Sequence, residues 1–169
     1  MSGCGPTTAA SLFYYEQRRR GGQMATREDT LSLMDSFWQH VTPTWKGVYS
    51  TDYYISRVQS YAQAHGISVT ASALDIPKER SARPSPDAML TFLFQALGQD
   101  MPVAFLNHHN GREKALFSHH WVVIVSLRYS SDGCITEFLD QGIVKHIDIC
   151  RWLTHTKTGG GFVTLHFMQ

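Results

Sequence analysis

The chain has 169 residues, 43% of them hydrophobic, 17% charged and 12% aromatic, with a net charge of +1 when histidines are neutral. That is enough material for one domain (residues 1–169) with a real core. The near-zero charge excludes a strong electrostatic pull toward nucleic acid or an anionic membrane.

The elements follow in chain order. GPTTAASLFYYEQRRRGG has Pro6 near a first turn and a Gly-Gly stop, which predicts a helix beginning close to Cys4. Its Arg18–Arg20 run reads as a solvated helix end that suits the dipole. REDTLSLMDSFWQHVTP predicts a second helix with Leu31, Met34, Phe37, Trp38 and Val41 near helical spacing, ended by Pro43. STDYYISRVQSYAQAHG predicts a third, from Ser50 or Thr51 to Gly66, with Tyr54, Ile55, Val58, Tyr61 and Ala62 on one stripe. ISVTASALDIP alternates like a strand, and SARPSPDAMLTFLFQALG predicts a helix with Ser85 as N-cap and Pro86 just inside.

The second half reads as sheet. MPVAFLNHH, HHWVVIVSLRY, CITEFLD, IVKHIDI and GGGFVTLHF are predicted strands, with SSDG as a hairpin turn and ICRWLTH as one or two helical turns. Helices followed by an antiparallel sheet predict an α+β fold.

Cys4 does not sit in an apolar run. It lies between Gly3 and Gly5 where a loop becomes a helix, and a helix N-terminus stabilises a thiolate. Nucleophilic catalysis by a thiol needs an imidazole to exchange protons with it and a group that holds the imidazole. His119 and His120 open a long apolar strand, and Asp140 closes the next one, 20 residues after His120. A hairpin of two ordinary strands brings His120 and Asp140 to the same end. Alternation along a strand puts His119 and His120 on opposite faces.

GCGPTTAAS, HWVVIV and FLDQG, in that order, resemble papain-like cysteine peptidases, and most nearly the bacteriocin-processing (double-glycine leader) peptidase-like branch. The resemblance covers almost the whole chain. It implies a papain-like fold with Cys4 as nucleophile, His120 as general base and acid, and Asp140 as the orienting carboxylate. The implied reaction is thiol-dependent hydrolysis of a peptide or amide bond through an acyl-enzyme on Cys4, with no cofactor, and with a peptide or protein as partner rather than nucleic acid or membrane. An acyltransferase with the same triad, or a catalytically weak peptide-binding domain of this fold, are the alternatives. The resemblance also implies an oxyanion-binding glutamine upstream of the cysteine. Only Met1, Ser2 and Gly3 precede Cys4 here, so the expectation is an earlier natural start, a substitute donor or a lost activity. Gln141 is not assigned that role.

Cys134 and Cys150 read as packing residues, since three cysteines suggest neither a disulfide framework nor a Cys-x-x-Cys metal site. His40, His65, His155 and His166 read as surface or strand positions, and His108 and His109 as turn residues. His108, His109, His119, His120 and His146 are enough nitrogens for zinc, but none shows the i, i+4 spacing of a helical metal site. The four tryptophans read as core or cleft wall. No signal peptide is read, and no apolar stretch approaches the ~18 residues of a membrane span. The expected location of the chain as written is the cytoplasm.

Overall fold

A computed structural model describes residues 3–168; Met1, Ser2 and Gln169 lie outside the described residues, so two of the three positions upstream of Cys4 carry no structural statement. Helices α1 (Cys4–Arg19), α2 (Arg27–His40) and α3 (Thr51–Ala64) come first. Strand β1 (Val69–Ile76) and helix α4 (Pro86–Gly98) follow. Strands β2 (Val103–Asn107), β3 (His120–Ser130), β4 (Gly133–Asp140) and β5 (Ile143–Asp148), helix α5 (Ile149–His155) and strand β6 (Gly160–Phe167) complete the chain. The fold is α+β, with helices in the first half and an antiparallel sheet built largely from the second.

The helix boundaries follow from capping chemistry. Thr26 and Asp29 form a reciprocal capping box at the start of α2. Ser50 and Ser85 cap α3 and α4 by accepting from Tyr53 N–H and Ala88 N–H, and Pro86 takes the first position of α4. Helix α1 differs: Gly3 precedes it with no side-chain cap, and no acidic residue occupies its first turn.

The sheet runs β1-β6-β2-β3-β4-β5 with every neighbouring pair antiparallel. Its centre is buried on both faces, which is why β2 and the start of β3 read as unbroken apolar runs. Ala104, Leu106, Trp121, Val123, Val163 and Leu165 pack on α1, α2 and α3. The alternate residues Val103, Phe105, Val122, Ile124 and Phe162 pack on α4 and α5. The helices are therefore divided between the two faces, a three-layer arrangement that chain order did not indicate.

Two expectations change. The apolar stripe of α2 is only partly inside: Phe37 and Val41 are buried, but Leu31 and Trp38 are exposed. Trp45, read as core or cleft wall, is 91% exposed and takes the second of these places, on the wall of a cleft. Cys134 and Cys150 are joined as a disulfide. The β4–β5 register places Asp148 opposite Ile135, so the first turn of α5 returns Cys150 to Cys134 with Cα atoms 5.7 Å apart. Both cysteines also belong to the apolar layer under α5. Among the described residues no helix is long and apolar enough to cross a membrane.

Candidate active site

Cys4 is the first residue of α1 and is half-buried. Its first-turn amides have no intrahelical acceptors, so they present positive potential to a thiolate. Gly5 permits close approach of the neighbouring loop: a Cβ there would lie 2.6 Å from Val48. Val48 in turn accepts a 2.7 Å hydrogen bond from Trp121 Nε1, and the Trp121 ring stacks on Tyr54. The residues beside the cysteine and beside the histidine are thus locked to one loop.

His120 opens β3 and is 4% exposed, while Asp140 ends β4 and is 5% exposed. Their side chains meet in a 2.7 Å bond from His120 Nε2 to Asp140 Oδ1. The nitrogen left over for the thiol is Nδ1, which is buried and has no hydrogen-bonding oxygen or nitrogen of its own. His119 is exposed and sits at φ 56°, outside the strand, so the two adjacent histidines are separated by a left-handed kink.

A β-bulge makes the His120–Asp140 contact possible. The β3–β4 pairing runs Ser126 opposite Glu137, then Ile124 opposite Phe138 and Val123 opposite Leu139, with Val125 as the extra residue. Opposed residues share a face. With the bulge, Asp140 falls one step beyond Leu139, on the face of Val122 and His120. In an unbroken register it would oppose Val123, on the other face. Burial agrees, because Ile124 and Leu127, on either side of the bulge, pack into the same apolar layer.

Electrostatics follow from this geometry. Burial pushes the Cys4 thiol up, but hydrogen bonding to His120, the backbone of Trp121, the charge of His120 and the backbone of Gly5 outweigh it and hold its pKa below the ordinary value. His120 is raised, chiefly by Cys4, against a desolvation cost and with further help from Asp140. Burial would raise Asp140, yet bonds from Lys145 and His120 leave it below the usual carboxylate range.

Two cavities meet at Cys4. One, of about 470 Å³, is walled by Thr7, Ser11, Met34, His120 and Asp140. The other, of about 750 Å³, is walled by Trp45, Tyr49, His108, His119 and Trp121. Open space therefore flanks the thiol on both sides.

Other sequence candidates lie elsewhere. His146 pairs with Glu137 at the surface, and His109 Nδ1 accepts from the backbone of Gly111 and Lys157. Among the described residues, the only cluster with metal-ligand spacing is Cys134, Asp148 and Cys150, two of which form the disulfide. Gln141 is exposed at φ 52° in the two-residue β4–β5 turn with Gly142 at φ 78°, the left-handed pair a tight hairpin requires. It borders the cleft beside Asp140.

Sequence reasoning missed two contributors. Lys145 Nζ donates to Asp140 Oδ2 at 2.8 Å. Asn107, fully buried opposite His120 in the register, donates to the Phe117 carbonyl and accepts from Trp152 Nε1. It fixes the segment that leads into His120. For Lys145 a signal existed: the Gln141-Gly142 turn places it diagonally from Asp140, within cross-strand reach.

The sequence matches no known protein-family model, and no curated protein matches it.

Proposed function

We propose that the chain is a cysteine hydrolase of papain-like type that cleaves a peptide or amide bond through an acyl-enzyme on Cys4. The observation that carries this reading is the buried 2.7 Å His120–Asp140 pair at the junction where Cys4 begins a helix. A cysteine-bearing helix start packed against an antiparallel sheet that holds a histidine and a carboxylate supports the papain-like assignment.

In this reading the Cys4 thiolate attacks the carbonyl carbon, forming an S–C bond. The developing oxyanion is met by the Cys4 backbone N–H. His120 gives its proton to the amide nitrogen as the C–N bond breaks, and the amine leaves. Water then attacks the thioester, His120 takes its proton, and the carboxylic acid departs as the thiolate is restored. Asp140 holds the imidazole in the tautomer that directs Nδ1 at the sulfur.

The test is intact-mass analysis after mixing with a short-chain p-nitrophenyl acyl ester. A single acyl adduct on Cys4 that decays in water, absent from Cys4→Ala and His120→Ala, is expected. Decay accelerated by added amine would favour the acyltransferase alternative. Turnover that persists in Cys4→Ala would overturn the reading.

A further inference from the structure

Asp140 divides its carboxylate between two partners. Oδ1 accepts from His120 on β3, and Oδ2 accepts from Lys145 on β5 at 2.8 Å. The carboxylate is nearly sealed, with 3% of its side chain exposed, while that of Lys145 is 24% exposed. The Phe117 ring spans the same corner, its centroid 5.0 Å from Lys145 Nζ and 6.3 Å from the His120 ring. The groups that act electrostatically on Asp140 are His120 and Lys145, and those on His120 are Asp140 from β4 and Cys4 from α1. Glu137 and His146, on β4 and β5, pair with each other on the opposite face.

A full carboxylate charge against an imidazole favours the imidazolium strongly. That strengthens the thiolate–imidazolium pair, but it also makes the imidazolium a poor acid toward a leaving amine. An ammonium on the second oxygen opposes that field without touching the imidazole. We propose that Lys145 is a positioning residue of the Cys4–His120–Asp140 array, a cation that anchors Asp140 and moderates its charge so that His120 releases its proton during catalysis. This rests on the triad reading above.

The two possible roles of Lys145 have opposite signatures. If it moderates charge, removing it leaves Asp140 undiluted and His120 becomes more basic. If it only props Asp140 in place, removing it loosens the His120 contact and His120 becomes less basic, as removal of the carboxylate charge would make it. The experiment follows the His120 ring nitrogens by ¹⁵N NMR against pH in the intact protein, for wild type, Lys145→Met, Lys145→Gln and Lys145→Arg. The Gln variant keeps a donor for Oδ2 should the Met variant fail to fold.

The expected result is an upward shift of about one pH unit in the uncharged variants, the size of one removed charge a few ångströms away across a partly wet path. Lys145→Arg should titrate like wild type. Turnover of an amide should fall about three-fold in the uncharged variants while turnover of an activated ester holds, because only the amide needs a strong proton donor. No shift, a downward shift, or failure of Arg to restore the wild-type titration would overturn the proposal. A wild-type His120 that titrates below its ordinary value, with no acyl adduct on Cys4, would instead overturn the triad reading and this proposal with it.

Discussion

Asp140→Asn tests the centre of the proposed site. The substitution keeps the shape of the side chain but removes its charge, and an amide cannot accept from both His120 and Lys145. One of the two charge-assisted bonds is lost, at 2.7 or 2.8 Å, in a side chain only 3% exposed. Hydrogen bonds to charged groups contribute about 1.5–3 kcal/mol, so a stability loss of roughly 2–3 kcal/mol is expected at neutral pH. Losing an opposite charge in direct contact lowers an imidazolium pKa by about 1–3 units, or ~1.4–4 kcal/mol of ion-pair stabilisation. Iodoacetamide labelling of Cys4 at pH 7 should therefore slow about ten-fold or more, measured by mass spectrometry across pH.

Stability against pH should change with it. The Asp140 pKa is lower folded than unfolded, so its contribution is complete above the unfolded value of about 3.9 and disappears as pH falls through the lower folded value. His120 is raised by folding. Its contribution is complete below about 6.5 and disappears as pH rises through the raised value. Denaturant titrations of Asp140→Asn should show a shallower acid limb and a smaller loss above neutrality. Labelling as fast as wild type at pH 7, with an unchanged stability profile, would refute the assignment of Asp140 to the histidine.

Three further outcomes are expected. His120→Ala should suppress Cys4 alkylation at neutral pH, while His119→Ala, at an exposed left-handed position, should leave it within about two-fold of wild type, read in the same labelling assay. Reducing the Cys134–Cys150 disulfide, or replacing both residues by serine, releases a loop of 16 residues' separation; urea titration should show about 3 kcal/mol less stability, with Cys4 labelling preserved. Deleting Val125 should remove the bulge while leaving Val122 opposite Asp140, on the face of His120, so that Cys4 labelling is preserved wherever circular dichroism shows the sheet intact.

Much of the architecture was legible because it rests on local chemistry. Ser50 and Ser85 cap helices at the predicted positions because their hydroxyls satisfy first-turn amides. The strands from Val103 to Phe167 were legible as apolar or alternating runs between turn residues. Cys4 was visible as a cysteine outside any apolar run, and the order of Cys4, His120 and Asp140 along the chain, with a hairpin between the last two, was enough to bring the histidine and the carboxylate to one sheet end.

Which face Asp140 takes was decided only by the folded sheet. Twenty residues of spacing fix the end of the hairpin, but one bulged residue at Val125 reverses the parity, and nothing in VVIVSLRY marks it. The exposure of Leu31 and Trp38 likewise depended on how much of α2 its neighbours cover, since helical spacing identifies a stripe but not what packs on it. Cys134 met Cys150, and Lys145 met Asp140, through pairings that exist only once β4 and β5 have aligned. Capping and alternation are energies of a few adjacent residues and can be read along the chain. Register, disulfide pairing and the partners of a buried charge are set by the contact of segments distant in sequence, and are settled when those segments pack.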